Sequence, residues 1–180
     1  METRVQTITT QLNDIPHIAT TLWYSGCKLN CKGCHNTPLE NFQSGLDLDY
    51  VKSELKQRRK LTDWLVYLGG NPLDSIESVI AISTYARELN FKQFLYSGYE
   101  FTEFQQMFDE KIHNVLLQNF DYLKTGKFDL RFHKDCATYG KDYFFQTLNQ
   151  EVYQSQVESW EKFYAFDIRN QQIIGNFILT

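Results

Sequence analysis

Three cysteines stand close together near the start of the chain. Cys27, Cys31 and Cys34 fall within eight residues, separated by three and then two residues, and no fourth cysteine is nearby. Three thiolates can hold three irons of a 4Fe-4S cluster and leave the fourth iron without a protein ligand. Structural metal sites, in contrast, are normally closed by a fourth ligand. The spacing therefore predicts an iron–sulfur cluster with one open iron, where a small molecule can bind and react.

A zinc site is the main alternative for these thiols. His35, His133 or Cys136 could supply a fourth ligand. Zinc sites, however, usually carry paired cysteine arms that are a dozen or more residues apart, and the sequence shows no second arm. A disulfide is disfavoured because three close cysteines cannot pair evenly and no secretory signal is visible. Cys136 stands alone in the sequence and is expected to be a buried, inert thiol.

Composition and charge exclude several classes of function. The 180 residues are 42% hydrophobic and 22% charged, which is typical of one globular domain. The net charge is -4 and no basic stripe is present, so nucleic acid is not expected as a partner. No apolar run approaches the length of a membrane span, so no membrane association is expected. Without a signal peptide, the chain is expected to be cytoplasmic, where thiols stay reduced.

Strand and helix patterns alternate along most of the chain. Runs of β-branched and aromatic residues predict strands at 5–12, 18–25, 64–68, 91–96 and 120–124. Apolar periodicity predicts helices at 49–59, 75–89 and 102–108. Asp74 and Glu77 have capping-box spacing, and Thr102 is expected to cap the last of these helices. The alternation predicts an α/β fold with a mostly parallel sheet, and the units are too few for a closed eightfold barrel, so an open, partial barrel is expected.

Distinctive residues follow four of the predicted strands. The cysteines follow 18–25, a Gly-Gly-Asn-Pro stretch follows 64–68, and Ser-Gly and Thr-Gly pairs follow the next two strands. A tight turn alone would explain each glycine. Ligands of parallel α/β sheets, however, bind at the carboxyl ends of the strands. The four loops are therefore expected to converge on one site.

The cysteine loop resembles the signature loop of the radical S-adenosylmethionine (radical SAM) enzymes. Its continuation through His35 and Asn36 is most similar to the activases of glycyl radical enzymes. The segments 121–128 and 147–150 resemble later parts of the activases that serve anaerobic ribonucleotide reductases. The resemblance implies a radical SAM core over residues 1–152, with an open partial (βα) barrel. Residues 153–180 are then a C-terminal extension, which is expected to form a β-hairpin.

The resemblance also implies a set of cofactors and their ligands. In this family the open iron of a 4Fe-4S cluster binds S-adenosylmethionine, and one electron from the cluster cleaves it to methionine and a 5'-deoxyadenosyl radical. The implied metal ligands are Cys27, Cys31 and Cys34. The implied S-adenosylmethionine-binding positions are Asn36, Gly69, Gly70, Asn71, Pro72, Ser97 and Gly98.

Asn71 departs from the family pattern, which has Glu or Asp after the two glycines. In the family that acid binds the amino group of S-adenosylmethionine. An amide oxygen can accept the same hydrogen bond, but without a full negative charge. We therefore expect Asn71→Asp to tighten cofactor binding.

The function implied by the resemblance is formation of a glycyl radical on a large partner, the anaerobic ribonucleoside-triphosphate reductase. A flavodoxin-like or other low-potential electron donor is implied as well. Two alternatives stay open. One is another radical SAM enzyme, such as a pyruvate formate-lyase activase or a small-molecule enzyme of modified-base synthesis. The other is a non-enzymatic zinc or iron–sulfur interaction module.

Overall fold

The computed structural model describes residues 1–12, 14–133, 147–167, 169–170 and 172–175, which form one open sheet with helices. The strands are β1 Val5–Gln11, β2 Ala19–Tyr24, β3 Trp64–Gly69, β4 Lys92–Tyr96, β5 Tyr122–Thr125, β6 Glu151–Ser155, β7 Trp160–Asp167 and β8 Gln172–Ile174. The helices are α1 Leu48–Arg58, α2 Ile76–Glu88, α3 Phe101–Met107 and α4 Glu110–Asn119.

The strands lie in the sheet in the same order as in the chain. Strands β2 to β5 pair in parallel, with α1, α2 and then α3 and α4 in the connections. The pairs β1–β2, β5–β6, β6–β7 and β7–β8 are antiparallel. Antiparallel pairings therefore outnumber parallel ones, and the expectation of a mostly parallel sheet is wrong. The connections 156–159 and 168–171 are too short for a crossover, so they can only join antiparallel neighbours.

Buried side chains fill both faces of the parallel strands. All six residues of β3 are buried, as expected for a central strand that is covered on both sides. Leu65 and Tyr67 belong to one cluster, to which α1, α2, α3 and α4 all contribute. Val66 and Phe94 belong to a second cluster, whose buried residues come from strands and loops and from none of these four helices. The helices thus cover one face of the sheet.

The predicted elements are present, but their ends differ in ways that matter for the site. Ser75 precedes α2 and makes no side-chain cap bond, so the capping box expected for Asp74 and Glu77 is wrong. Glu100, and not Thr102, is the N-cap of α3 and forms a capping box with Glu103. Helix α4 and strand β6 were not predicted, although Ile112, Val115 and Leu116 of α4 have helical spacing.

The last described residues extend the same sheet. Strand β6 runs across residue 152, pairing with β5 on one side and β7 on the other. Strands β7 and β8 pair with each other as an antiparallel hairpin. No helix among the residues described here is long and apolar enough to cross a membrane. Cys136 lies outside the described residues.

Candidate cluster and cofactor site

A cavity of about 420 Å³ opens at the carboxyl ends of the parallel strands, where the distinctive loops meet. Its volume is within the range of small-molecule sites. Most of the positions expected from the sequence line it, namely Cys27, Cys31, Cys34, Asn36, Gly69, Gly70, Ser97 and Gly98. Asn71 and Pro72 do not line it. The fold thus brings together residues that are as much as seventy positions apart in the chain.

The three cysteine thiols are free and half-buried in the wall of this cavity. Burial raises the pKa of Cys27, and the nearby Asp74 carboxylate and the other two thiols raise it further. Burial and the Cys34 thiol raise the pKa of Cys31. Ionising Cys27 and Cys31 together is therefore costly without a strong positive charge beside them, since Lys127 and Lys124 lower the pKa of Cys31 only in part. Bound iron would supply that charge and deprotonate the thiols.

Each sulfur also faces a backbone N–H group. Such hydrogen bonds favour the thiolate, and hydrogen bonds to sulfur are among the features that set the reduction potential of an iron–sulfur cluster. The donors are Leu29 for Cys27, Phe128 for Cys31 and Asn36 for Cys34, the last with 3.4 Å between nitrogen and sulfur.

The donor set fits a 4Fe-4S cluster with one open iron. Within the described part of the chain, no three His, Cys, Asp or Glu side chains are gathered around a single ion. In a 4Fe-4S cluster each cysteine binds a different iron, so the thiols need not converge on one point. The histidines proposed as zinc ligands, His35 and His133, both pack against Phe128, with 5.9 Å between ring centroids in each pair.

Glycines keep the opposite wall of the cavity close to the cysteine loop. Gly69 has a φ of +120°, where any side chain would be strained. A Cβ on Gly70 would lie 2.5 Å from the carbonyl oxygen of Gly26. A Cβ on Gly98 would lie 2.3 Å from a methyl carbon of Leu29. The cavity is thus walled by exposed backbone, which suits close contact with a polar cofactor.

Hydrogen bonds join the cysteine loop to the loop that follows β3. The side-chain amide of Asn36 donates to the carbonyl oxygen of Gly69 at 2.8 Å. The backbone N–H of Gly70 donates to Tyr24, and that of Asn71 to Gly26, at 2.7 and 2.8 Å. Asn36 therefore holds the cysteine loop and the loop after β3 together.

Asn71 lies behind the cavity wall, with 1% of its surface exposed. Its side-chain nitrogen donates to Oδ2 of Asp74 at 3.0 Å. Its side-chain oxygen accepts from the backbone N–H of Gly98 at 3.4 Å. Pro72 starts the short 3-10 turn that leads into α2. Asn71 thus links the loop after β3 to the loop after β4, and direct contact with S-adenosylmethionine stays a prediction.

Comparison with known proteins agrees with this geometry. The family described as "4Fe-4S single cluster domain" matches residues 16–153, which include all three cysteines and the cavity loops after β3, β4 and β5. The chain belongs to this family. The anaerobic ribonucleoside-triphosphate reductase-activating protein of Haemophilus influenzae is 31% identical to it over 117 residues, covering 60% of this chain and 72% of that protein. The resemblance to such activases is therefore confirmed.

Asp74 is a site residue of this 4Fe-4S single cluster domain that the sequence did not reveal. Its side chain is only 1% exposed. The carboxylate accepts hydrogen bonds from the backbone N–H of Lys28 at 3.1 Å, from Asn71 at 3.0 Å and from the hydroxyl of Tyr99 at 2.7 Å. Burial and the bond to Asp74 raise the pKa of Tyr99. Because Asp74 directly precedes a predicted helix, its position indicated a helix cap. No sequence signal showed that its side chain bonds to the cavity loops and not to the helix.

Lys124 is a second residue that the site prediction missed. It lies buried at the end of β5 and lines the cavity. Its ammonium group donates to the carbonyl oxygen of Gly126 at 3.2 Å and lies 5.5 Å from the ring centroid of Tyr96. Burial lowers its pKa to about 7, while Cys31 and Glu100 act in the opposite direction. The cavity thus contains a titratable amine near the cysteine loop.

The segment 147–150 supports the loop that follows β5. The side chain of Gln150 lines the cavity and donates to Gly126 at 3.3 Å. Asn149 donates to the carbonyl oxygen of Lys127 at 2.9 Å. These contacts give a physical role to a segment that the sequence identified only by resemblance.

The wall of the cavity near β1 and β2 includes Gln11, Asp14 and Trp23, which the sequence did not single out. The Asp14 carboxylate accepts from Gln11 at 3.0 Å and from the Thr21 hydroxyl at 2.8 Å. These side chains make this part of the wall polar and hydrogen-bonded.

Proposed function

We propose that this chain is a radical SAM activase that forms a glycyl radical on an anaerobic ribonucleoside-triphosphate reductase. Cys27, Cys31 and Cys34 would hold the 4Fe-4S cluster. When bound, the cluster supplies the electron that cleaves S-adenosylmethionine and so provides the radical that abstracts hydrogen. The observation that carries the proposal is the single cavity in which three half-buried thiols face glycine-rich strand ends.

The residues of the cavity would bind and orient S-adenosylmethionine. Gly69, Gly70 and Gly98 let the loops after β3 and β4 lie close to the cysteine loop, because a side chain at any of them would be strained or would collide with its neighbours. Their backbone lines the cavity, where it would face the cofactor. Asn36 keeps the cysteine loop and the Gly69 loop in register through its 2.8 Å bond. Lys124 would offer a cation to the carboxylate of the cofactor.

We further propose that β2 to β5 form the core of a radical SAM partial barrel that ends near residue 152, with 153–180 as an extension. Supporting this, the strands pair in parallel, the four helices pack on one face and the cavity lies at the carboxyl edge. The sheet is open, so a peptide loop can approach the cavity. Since radicals must be shielded from water, the partner would complete the wall.

The partner assignment is supported by the relative from Haemophilus influenzae, whose name is that of a reductase-activating protein. A low-potential electron donor, flavodoxin-like or other, would be needed to reduce the cluster. Neither nucleic acid nor a membrane has a role in this reaction.

The test is anaerobic reconstitution with iron and sulfide, followed by addition of S-adenosylmethionine, a strong reductant and the anaerobic reductase from the same source. We expect a glycyl radical doublet on the reductase in the electron paramagnetic resonance spectrum. Without the reductase, cleavage of S-adenosylmethionine should be slow. Fast cleavage with a small metabolite and no doublet would contradict the activase proposal and favour a small-molecule radical SAM enzyme.

A further inference from the structure

Asp74 is the point where three loops of the cavity meet. Lys28 follows the first cysteine, Asn71 belongs to the loop after β3, and Tyr99 belongs to the loop after β4. Each donates one hydrogen bond to the Asp74 carboxylate, at distances from 2.7 to 3.1 Å. A carboxylate that is 1% exposed and accepts three bonds is a built feature of the site.

The bond to Asp74 decides how the amide of Asn71 points. An ionised carboxylate can only accept hydrogen bonds, so it must face the NH₂ group of Asn71 and not its oxygen. The oxygen is thereby directed to the backbone N–H of Gly98, at 3.4 Å. That bond is long, which leaves the oxygen able to accept a stronger donor. Gly98 lines the cavity and Asn71 does not, so the oxygen lies directly behind the Gly98 backbone, one contact away from the cavity.

We propose that Asp74 is a positioning residue for S-adenosylmethionine. It orients the Asn71 amide and supplies, one step further from the cofactor, the negative charge that position 71 lacks. The proposal rests on the proposed function, since it concerns how the same cavity binds its cofactor.

The arrangement reverses the expectation for Asn71→Asp. In wild-type protein the side-chain nitrogen of Asn71 is 3.0 Å from Oδ2 of Asp74. A carboxylate at position 71 would place two acids in contact, and two carboxylates that share a site cannot both ionise freely. Asn71→Asp alone should therefore weaken cofactor binding. Exchanging the two residues should restore a carboxylate–amide pair.

The experiment measures the dissociation constant of S-adenosylmethionine for the reconstituted, unreduced protein by equilibrium binding. The variants are Asp74→Asn, Asp74→Ala, Asn71→Asp and the double variant Asn71→Asp/Asp74→Asn. Loss of a hydrogen bond to a charged group predicts about tenfold weaker binding or more for each single variant. The double variant should return to within about threefold of wild type if the pair is coupled.

Matched controls separate this role from a general effect on the fold. Glu77 is an exposed acid in the first turn of α2, and Glu77→Gln removes the same charge without a contact to Asn71. Tyr99→Phe removes one donor to Asp74 but leaves the bond to Asn71. Both should bind the cofactor nearly as wild type. Asp74→Asn should keep the iron content of wild type and a single cooperative urea transition, although its midpoint should fall because three donors lose a charged acceptor. The comparison therefore stands even if Asp74→Ala fails to fold.

Wild-type affinity in both Asp74→Asn and Asn71→Asp would overturn the proposal, as would a double variant no better than either single one. If Tyr99→Phe binds S-adenosylmethionine as weakly as Asp74→Asn, the proposal is also overturned. The contact between Asp74 and the loop after β4, and not the orientation of Asn71, would then explain the weaker binding. If the wild-type protein carries its full iron and does not bind S-adenosylmethionine, the proposed function itself fails. Binding by wild type with no effect of Asp74 would leave the function intact and remove only this inference.

Discussion

The cysteine loop and the segment from Asn71 to Asp74 shape the same cavity in different ways. The cysteines are half-buried, lie within eight residues and each accept a backbone N–H. Asn71 and Asp74 are almost wholly buried and bond to each other and to loops that begin after other strands. One region would provide ligands through local spacing, and the other holds loops in place through contacts between distant residues. The predictions below test that difference.

The largest effect is expected at the cysteines. Replacing Cys27, Cys31 or Cys34 with Ala should abolish the cluster's visible absorbance and all cleavage of S-adenosylmethionine, because each thiolate would hold its own iron. Iron analysis after anaerobic reconstitution checks this. Cys136→Ala is the control and should retain both properties. Loss of the cluster in that control would mean that Cys136 is a ligand and that the cluster has no open iron.

The second-largest effect is expected on the stability of the protein, at two glycines of the cavity wall. A Cβ at Gly70 would meet the carbonyl oxygens of Gly26 and Leu39 at 2.5 and 2.7 Å, and backbone cannot move aside easily. A Cβ at Gly98 would meet only the end of the Leu29 side chain, which can change rotamer. We expect Gly70→Ala to cost about 1–3 kcal/mol of unfolding free energy and Gly98→Ala less. Urea denaturation of the cluster-free proteins measures both, and equal costs would contradict the distinction.

A smaller, pH-dependent effect is expected at Lys124. Its pKa in the fold is about 7, lowered by burial from the ordinary 10.5. Between pH 7 and pH 10.5 the unfolded chain therefore binds more protons than the folded protein. The contribution of Lys124 to the unfolding free energy rises with pH across this range. Lys124→Met removes this dependence. The difference between its unfolding free energy and that of wild type should therefore fall by at most about 2.7 kcal/mol from pH 7 to pH 9. Parallel urea curves for the cluster-free proteins at both pH values test this; an unchanged difference would mean that Lys124 stays charged.

The smallest effect is expected at an ion pair that does not line the cavity. Lys162 on β7 pairs with Glu151 on β6 at 2.7 Å, and both side chains are partly exposed. Exposed ion pairs contribute about 0–1 kcal/mol, so Lys162→Ala should change stability by less than 1 kcal/mol. Its iron content and S-adenosylmethionine affinity should equal those of wild type. A weaker affinity would show that the strands beyond residue 155 influence the site.

The sequence predicted most of the parallel half of the fold and most of the cavity wall. Strand β3 is a continuous apolar run that ends in glycines, a local signal of a strand buried on both faces. Because parallel strands end at one edge, the strand-end residues could be expected to meet. The C-terminal hairpin of β7 and β8 was also expected, and strand β6 was not. The pairing of β6 with β5 and β7 depends on tertiary contacts and not on its own pattern.

The sequence by itself determined the cysteine spacing, the glycines that let the cavity loops pack closely and the family to which the chain belongs. These are properties of residues that are neighbours in the chain, so they can be read locally. Only the tertiary structure decided the roles of Asp74 and Lys124. From its position Asp74 could cap α2, but its carboxylate accepts three hydrogen bonds from the cavity loops instead. Lys124 acquires its lowered pKa from burial beside the cavity. Burial and hydrogen bonding between distant segments exist only after folding, and they decide what a charged side chain does.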